Sequence, residues 1–137
     1  MVGIRDLADG QFWHLLGIEP IYHKDGKIIL QVPVEEKLLQ FYGKVHGGVV
    51  ASLVDAAAAV ALNQELGRER GATTVEMKVN YLRAVEKGVL YAEGNLVHLG
   101  RTLAVANARV WDDSGREVAF GVATYYLLDM TKGLNDN

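Results

Sequence analysis

The sequence predicts an α+β fold in which one long apolar helix lies against a curved antiparallel sheet. Three observations predict it. Residues 47–66 are rich in alanine and free of proline, which favours helix. Val49, Val50, Leu53, Val54, Val60 and Leu62 fall on several faces of that helix, so other structure must wrap it. Downstream, four segments rich in Val, Thr, Tyr and Leu are separated by short Gly- and Asp-bearing turns, and a sheet is the wrapper they supply.

Taken in order, residues 9–16 hold Phe12, Trp13, Leu15 and Leu16 and predict a short helix stopped at Gly17 and Pro20, packed as a lid or flank. Residues 18–22 and 28–32 read as two strands joined through Lys24-Asp25-Gly26-Lys27, where Asp-Gly signals a tight turn. Residues 35–41 predict one helical turn leading into a glycine-bearing loop. The long helix is expected to run to Leu66, with Gly67 as a left-handed cap. Strands are then expected at 73–82, 89–99, 102–111 and 117–128, arranged as a four-stranded meander, for five to six strands in all. Thr73, Val75, Met77, Val79 and Tyr81 alternate on one face of the first. Thr102, Ala104, Ala106, Ala108 and Val110 alternate in the third, where small side chains admit an alanine-rich helix closely. The polar tail 129–137 is expected to fray.

With 137 residues, one domain and one core suffice. Lys and Arg number 14 against 17 Asp and Glu, so there is no cationic excess to neutralise a nucleic-acid backbone. The absence of cysteine removes disulfides, thiolate metal sites and Cys nucleophiles. No apolar run follows a basic start, and the apolar stretch 48–62 falls short of the ~20 residues a membrane span needs, so the expected location is cytoplasmic, with no membrane partner.

Asp55 is the sharpest chemical feature, being the only charged residue between Gly48 and Leu62. Burying a carboxylate costs several kcal/mol unless it is paired, hydrogen-bonded or used. It is therefore either functional or held structurally by the backbone or by a hydroxyl such as Ser52. His46-Gly47-Gly48 precedes the helix, where glycines either permit a tight entry turn or offer N–H groups at the positive helix end to a developing oxyanion. Gly48 and Asp55 share a helix face but stand ~10 Å apart along the axis at ~1.5 Å per residue. If both act on one carbonyl, Gly48 of one subunit must meet Asp55 of another, and the active protein is at least a dimer.

Other constellations are weaker. His14, His23, His46 and His98 lack metal-ligand spacing, so no metal is expected. Ser52 and Ser114 match no nucleophile elbow, and no phosphate-cradling glycine motif follows a strand.

The run His46-Gly47-Gly48-Val49-Val50-Ala51-Ser52-Leu53-Val54-Asp55-Ala56-Ala57 resembles the His-Gly-Gly…Leu-x-Asp-x-Ala signature of phenylacetic-acid-degradation-type (PaaI-like) thioesterases of the hotdog superfamily. The resemblance extends through residues 74–83 and 100–104 and spans roughly 12–128. It implies a helix wrapped by a sheet, edge-to-edge dimers often paired into tetramers, and acyl-CoA bound between subunits as substrate, with no separate cofactor. It further implies Asp55 as nucleophile or general base and the Gly48 amide as oxyanion donor. Thr74 occupies the place of a water-positioning hydroxyl, with Thr73 as rival, because strict alternation puts Thr74 opposite Val75 and Met77 unless the strand is irregular. Gln40 stands where relatives commonly carry Asn, with the same amide on a longer arm. His46 is expected to fix the loop by hydrogen bonding. Gly47, Gly100, Arg101 and Thr102, with Arg83 and Lys87 as weaker candidates, are the expected contacts for CoA. A non-catalytic acyl-CoA-binding or regulatory protein of the same fold is the alternative, and a hydratase or dehydratase ranks third because no histidine follows Asp55 at a suitable place.

Overall fold

The computed structural model describes residues 4–67 and 69–131. Two short helices, α1 (Ile4–Ala8) and α2 (Gln11–Leu16), precede strands β1 (Glu19–Tyr22) and β2 (Ile28–Pro33). A 3-10 turn, Glu36–Leu38, leads to the long helix α3 (Gly47–Asn63), followed by β3 (Arg70–Tyr81), β4 (Val89–Leu99), β5 (Leu103–Trp111) and β6 (Glu117–Asp129). All six strands form one antiparallel sheet in the order β1-β2-β4-β5-β6-β3, and α3 packs across it. This is the hotdog arrangement.

The sheet order corrects the expected meander. Of the four strands expected to form the meander, only β4, β5 and β6 are sequential neighbours, whereas β3 pairs with β6 at the far edge and β2 pairs with β4. Helix α3 carries the chain across the sheet, and the return segment from Leu82 to Gly88 crosses back with Val85 buried beneath it. That connection is longer than a tight hairpin allows, and it carries the chain between non-neighbouring strands.

Local chemistry explains most boundaries. Gly17 adopts φ +82, and its N–H and that of Ile18 both reach Trp13 O, closing α2 as the glycine predicts. The start differs: the helix expected from residue 9 begins at Gln11, after Gly10, and a separate short helix α1, outside the expected range, precedes it and packs Leu7 against the core. Helix α3 ends at Asn63 rather than Leu66, and Gly67 is not left-handed. Buried Leu66 continues one more turn of backbone bonding to Leu62 O and anchors the exit instead. The expected frayed tail begins too early: Asp129 still pairs with Arg70, and Met130 N–H donates to Glu69 O, while the residues after Thr131 lie outside the described ones.

The inward rows of β5 and β6 are small. Ala104, Ala106, Ala108 and Ala123 are buried against α3, as the alanine alternation predicted, whereas Thr102 lies exposed in the preceding turn. On β3 alternation breaks. Thr74 pairs with Tyr125 and Glu76 with Thr124, so Val75 is an extra residue in a bulge. After the bulge Met77 and Val79 pack against the core; before it Ala72 does and Thr74 lines a recess beside α3, while Val75 is 59% exposed.

Candidate active site

Wrapping of α3 is incomplete in the single chain. Ser52, Asp55, Ala59 and Asn63, spaced three or four residues apart, leave a helix stripe facing a cavity of about 290 Å³ rather than packed protein. Leu7, Trp13, Ile18 and Ala72 supply apolar walls, and Thr73, Thr74 and Tyr125 close the strand side. Asp55 is therefore a half-buried carboxylate in an apolar recess open to solvent.

Its partners are hydroxyls from two adjacent strands. Thr74 Oγ1 donates to Asp55 Oδ1 at 2.9 Å, and the bulge at Val75 is what turns Thr74 toward the helix. Thr73 lines the cavity without reaching the carboxylate by a hydrogen bond. Tyr125 Oη lies 2.9 Å from Asp55 Oδ1 and 2.9 Å from Asp55 O. Burial pushes the Tyr125 phenol up, the adjacent Asp55 charge and their hydrogen bond push it further, and together these outweigh the hydrogen bond from Thr74 that pulls it down, so it stays protonated as a donor. Ser52 is not a partner: its hydroxyl donates to Gly48 O at 2.7 Å, inside its own helix.

Tyr125 escaped the sequence reading. The available signal was its place in β6, among inward-facing Gly121, Ala123 and Leu127, where a buried phenol demands a hydrogen-bond partner.

The helix start lies elsewhere. His46 is the N-cap of α3, and its Nδ1 accepts the Gly48 N–H at 2.8 Å. Tyr81 Oη donates to Gly47 O at 3.0 Å, tying the glycine turn to the far end of β3. Gln40 folds back on its own loop, where Oε1 accepts from Tyr42 N at 2.5 Å and Lys44 N at 3.3 Å. Gly43 takes φ +82 to complete that turn, which leaves Phe41 and Tyr42 94% and 79% exposed. Lys44 is ion-paired with Glu86. Gln40, Gly47, Tyr81 and Arg83 line a second cavity of about 360 Å³. Asp55 and Thr74 thus line one recess of the chain, while Gln40 and Gly47 line another.

Gly100, Arg101 and Thr102 form the β4–β5 turn. Arg70 Nη2 donates to Arg101 O at 2.6 Å and, more weakly, to Gly100 O at 3.4 Å, while Thr102 O accepts from Leu127 N. The Arg101 side chain is exposed. Because Ala104 and Thr74 both pair with Tyr125, Arg101 stands three residues, roughly 10 Å, beyond the row that carries the Asp55 partners. Among the described residues no group of three His, Asp or Glu could hold a metal ion, and no helix is long and apolar enough to cross a membrane.

The family model described as the thioesterase superfamily matches residues 42–119, more than half of the chain and the whole of α3. The chain belongs to the thioesterase superfamily. Among thioesterase-superfamily relatives, the 1,4-dihydroxy-2-naphthoyl-CoA hydrolase of Listeria monocytogenes is 27% identical over 99 residues, covering 72% of this chain and 80% of that one. The crystal structure of BH2602 from Bacillus halodurans, solved with CoA, superposes with a TM-score of 0.83 at 28% identity, covering 87% of this chain and 79% of the other. The conserved protein PA5202 from Pseudomonas aeruginosa superposes with a TM-score of 0.83 at 31% identity, covering 90% of this chain and 98% of its own.

Proposed function

We propose that this thioesterase-superfamily chain hydrolyses an acyl-CoA to the free acid and CoA, with Asp55 as the catalytic carboxylate. The observation that carries the reading is Asp55 itself: an acid held by two hydroxyls in an apolar recess large enough for an acyl group and open at its mouth. The CoA in the BH2602 crystal and the CoA thioester in the name of the Listeria relative support the substrate class.

In this reading Asp55 either attacks the thioester carbonyl carbon, forming an anhydride that water then opens, or takes a proton from water so that hydroxide attacks. In both routes the C–S bond breaks and the CoA sulfur leaves as a thiolate that picks up a proton. Gly48 N–H holds the carbonyl oxygen as charge develops. His46 Nδ1 accepts that N–H, so its ring must swing aside for the carbonyl to take its place, at a cost of about 0.5–1.5 kcal/mol for one hydrogen bond. Gln40 and Gly47 border the carbonyl, and Arg83, Arg101 and the Gly100–Thr102 turn meet the nucleotide end.

The separation of the Asp55 recess from the Gln40–Gly47 recess supports a site assembled from two copies. Strand β3 is a twelve-residue edge with no strand beyond it among the described residues, which supports edge-to-edge pairing of two sheets in a homodimer or tetramer.

The test is CoA thiol release from benzoyl-, phenylacetyl-, octanoyl- and palmitoyl-CoA, with Asp55→Ala in parallel. Turnover that falls at least 100-fold in the variant is expected. An unchanged rate removes Asp55 from the chemistry, and binding without turnover on every thioester favours the acyl-CoA-binding alternative.

A further inference from the structure

The two oxygens of Asp55 are not equivalent. Thr74 Oγ1 and Tyr125 Oη both approach Oδ1 at 2.9 Å, one from each of two hydrogen-bonded strands, and among the described residues no group donates to Oδ2. The geometry points to a division of labour in which Tyr125 and Thr74 are positioning residues that hold Asp55 through Oδ1, leaving Oδ2 as the oxygen that meets the thioester or the attacking water. This deepens the proposed function and rests on Asp55 being the catalytic acid. It also differs from what the family resemblance implies for Thr74, whose hydroxyl is placed on the carboxylate at 2.9 Å and so acts through Asp55 rather than on water.

Three features make the arrangement specific. The bulge at Val75 gives β3 one extra residue, and without it Thr74 would face away from the helix. Tyr125 sits on the strand paired with β3 at the same register position, Thr74 opposite Tyr125, so the two hydroxyls arrive side by side on one oxygen. Tyr125 also reaches the backbone carbonyl of Asp55, which fixes the height of the phenol on the helix. Two donors from a rigid sheet remove rotation about the carboxylate and orient the other oxygen at no further entropic cost during reaction.

The charge environment makes the effect measurable. The residues lining the recess from α1, α2, α3, β3 and β6 include no Lys, Arg, His or Glu among those described, and Tyr125 is the one other titratable group facing Asp55. Among the described residues no other charged side chain of the recess stands ready to replace a deleted donor.

The experiment compares wild type with Tyr125→Phe, Thr74→Val and Thr74→Ser, and with Asp55→Ala as reference. It reads kcat and KM on the acyl-CoA of the panel that wild type turns over fastest. Tyr125→Phe and Thr74→Val should each lower kcat by about 10- to 100-fold with KM changed less than threefold. Thr74→Ser should restore wild-type behaviour. If Tyr125→Phe does not fold, Thr74→Val on the exposed edge strand carries the test alone. Wild-type kcat in a folded Thr74→Val, with Asp55→Ala inactive, overturns this inference and leaves the proposed function standing. Full activity in Asp55→Ala overturns the proposed function itself.

Discussion

Gly94 on β4 lies directly beneath the backbone of Ala57 on α3, so close that a β-carbon at Gly94 would come within 2.0 Å of the Ala57 carbonyl oxygen. The contact is backbone on backbone, with no flexible side chain to yield. It sets how near the helix rides to the sheet, and that height lets hydroxyls on β3 and β6 reach a short Asp side chain. Gly94→Ala should therefore cost at least about 1–3 kcal/mol, by analogy with other overpacked cores. A thermal melt should show Tm falling by several degrees. A loss of thioester turnover larger than the loss of folded protein is also expected, because the helix must lift away from Thr74 and Tyr125. An unchanged Tm would mean that α3 slides freely on the sheet.

Val75 is the bulge residue of β3 and is 59% exposed on the sheet edge proposed to meet a second copy. Val75→Asp places a charge there without touching the core. In a symmetric edge pairing the two new carboxylates would meet near the two-fold axis. Sedimentation should show the mutant shifting to monomer while circular dichroism stays native, with thioester turnover lost in step. An oligomer of wild-type mass would place the subunit contact on another face.

Trp13 and Leu7 wall the Asp55 recess of about 290 Å³ from the two N-terminal helices, so under the proposed function they would limit the length of the acyl group it takes. Trp13→Ala should raise kcat/KM for palmitoyl-CoA relative to octanoyl-CoA by about tenfold, in the range expected when one wall of an apolar pocket is removed. An unchanged ratio would assign acyl selection to residues outside the recess.

Asp112 caps the β5–β6 turn. Burial pushes its carboxyl up, but the N–H groups of Arg116 and Ser114 and the positive charges of Arg116 and Arg83 outweigh this and hold it below the usual 3.8. A carboxyl lowered in the folded state stabilises fully above 3.8 and loses that contribution as pH falls through its folded value. The Tm gap between wild type and Asp112→Asn should thus be constant near neutrality and close on acidification below pH 3.8. A gap that widens in acid would reverse the sign and rule out the charged cap.

Much of the site was legible in the sequence, and the reasons differ by residue. Asp55 stood out because an acid inside an apolar helix is costly, and the cost is visible without coordinates. His46 and the two glycines were legible as a helix entry, where His46 Nδ1 accepts from Gly48 N–H. The choice between Thr73 and Thr74 was not, since it depends on a one-residue bulge that only pairing with β6 reveals. Tyr125 is seventy positions from Asp55, and nothing local to either residue signals their contact.

The fold divides along the same line. Strand limits, the β1–β2 hairpin and the alanine rows follow from side-chain periodicity and turn residues, which are properties of neighbours in the chain. The sequence by itself determined the fold class, the acid and the small residues that let a helix lie close to a sheet. Tertiary structure decided the order β1-β2-β4-β5-β6-β3, the bulge at Val75 and the pairing of Tyr125 with Thr74 on one carboxylate oxygen. Those depend on which distant strands come together, and that outcome is set by burying the whole helix at once rather than by any local preference.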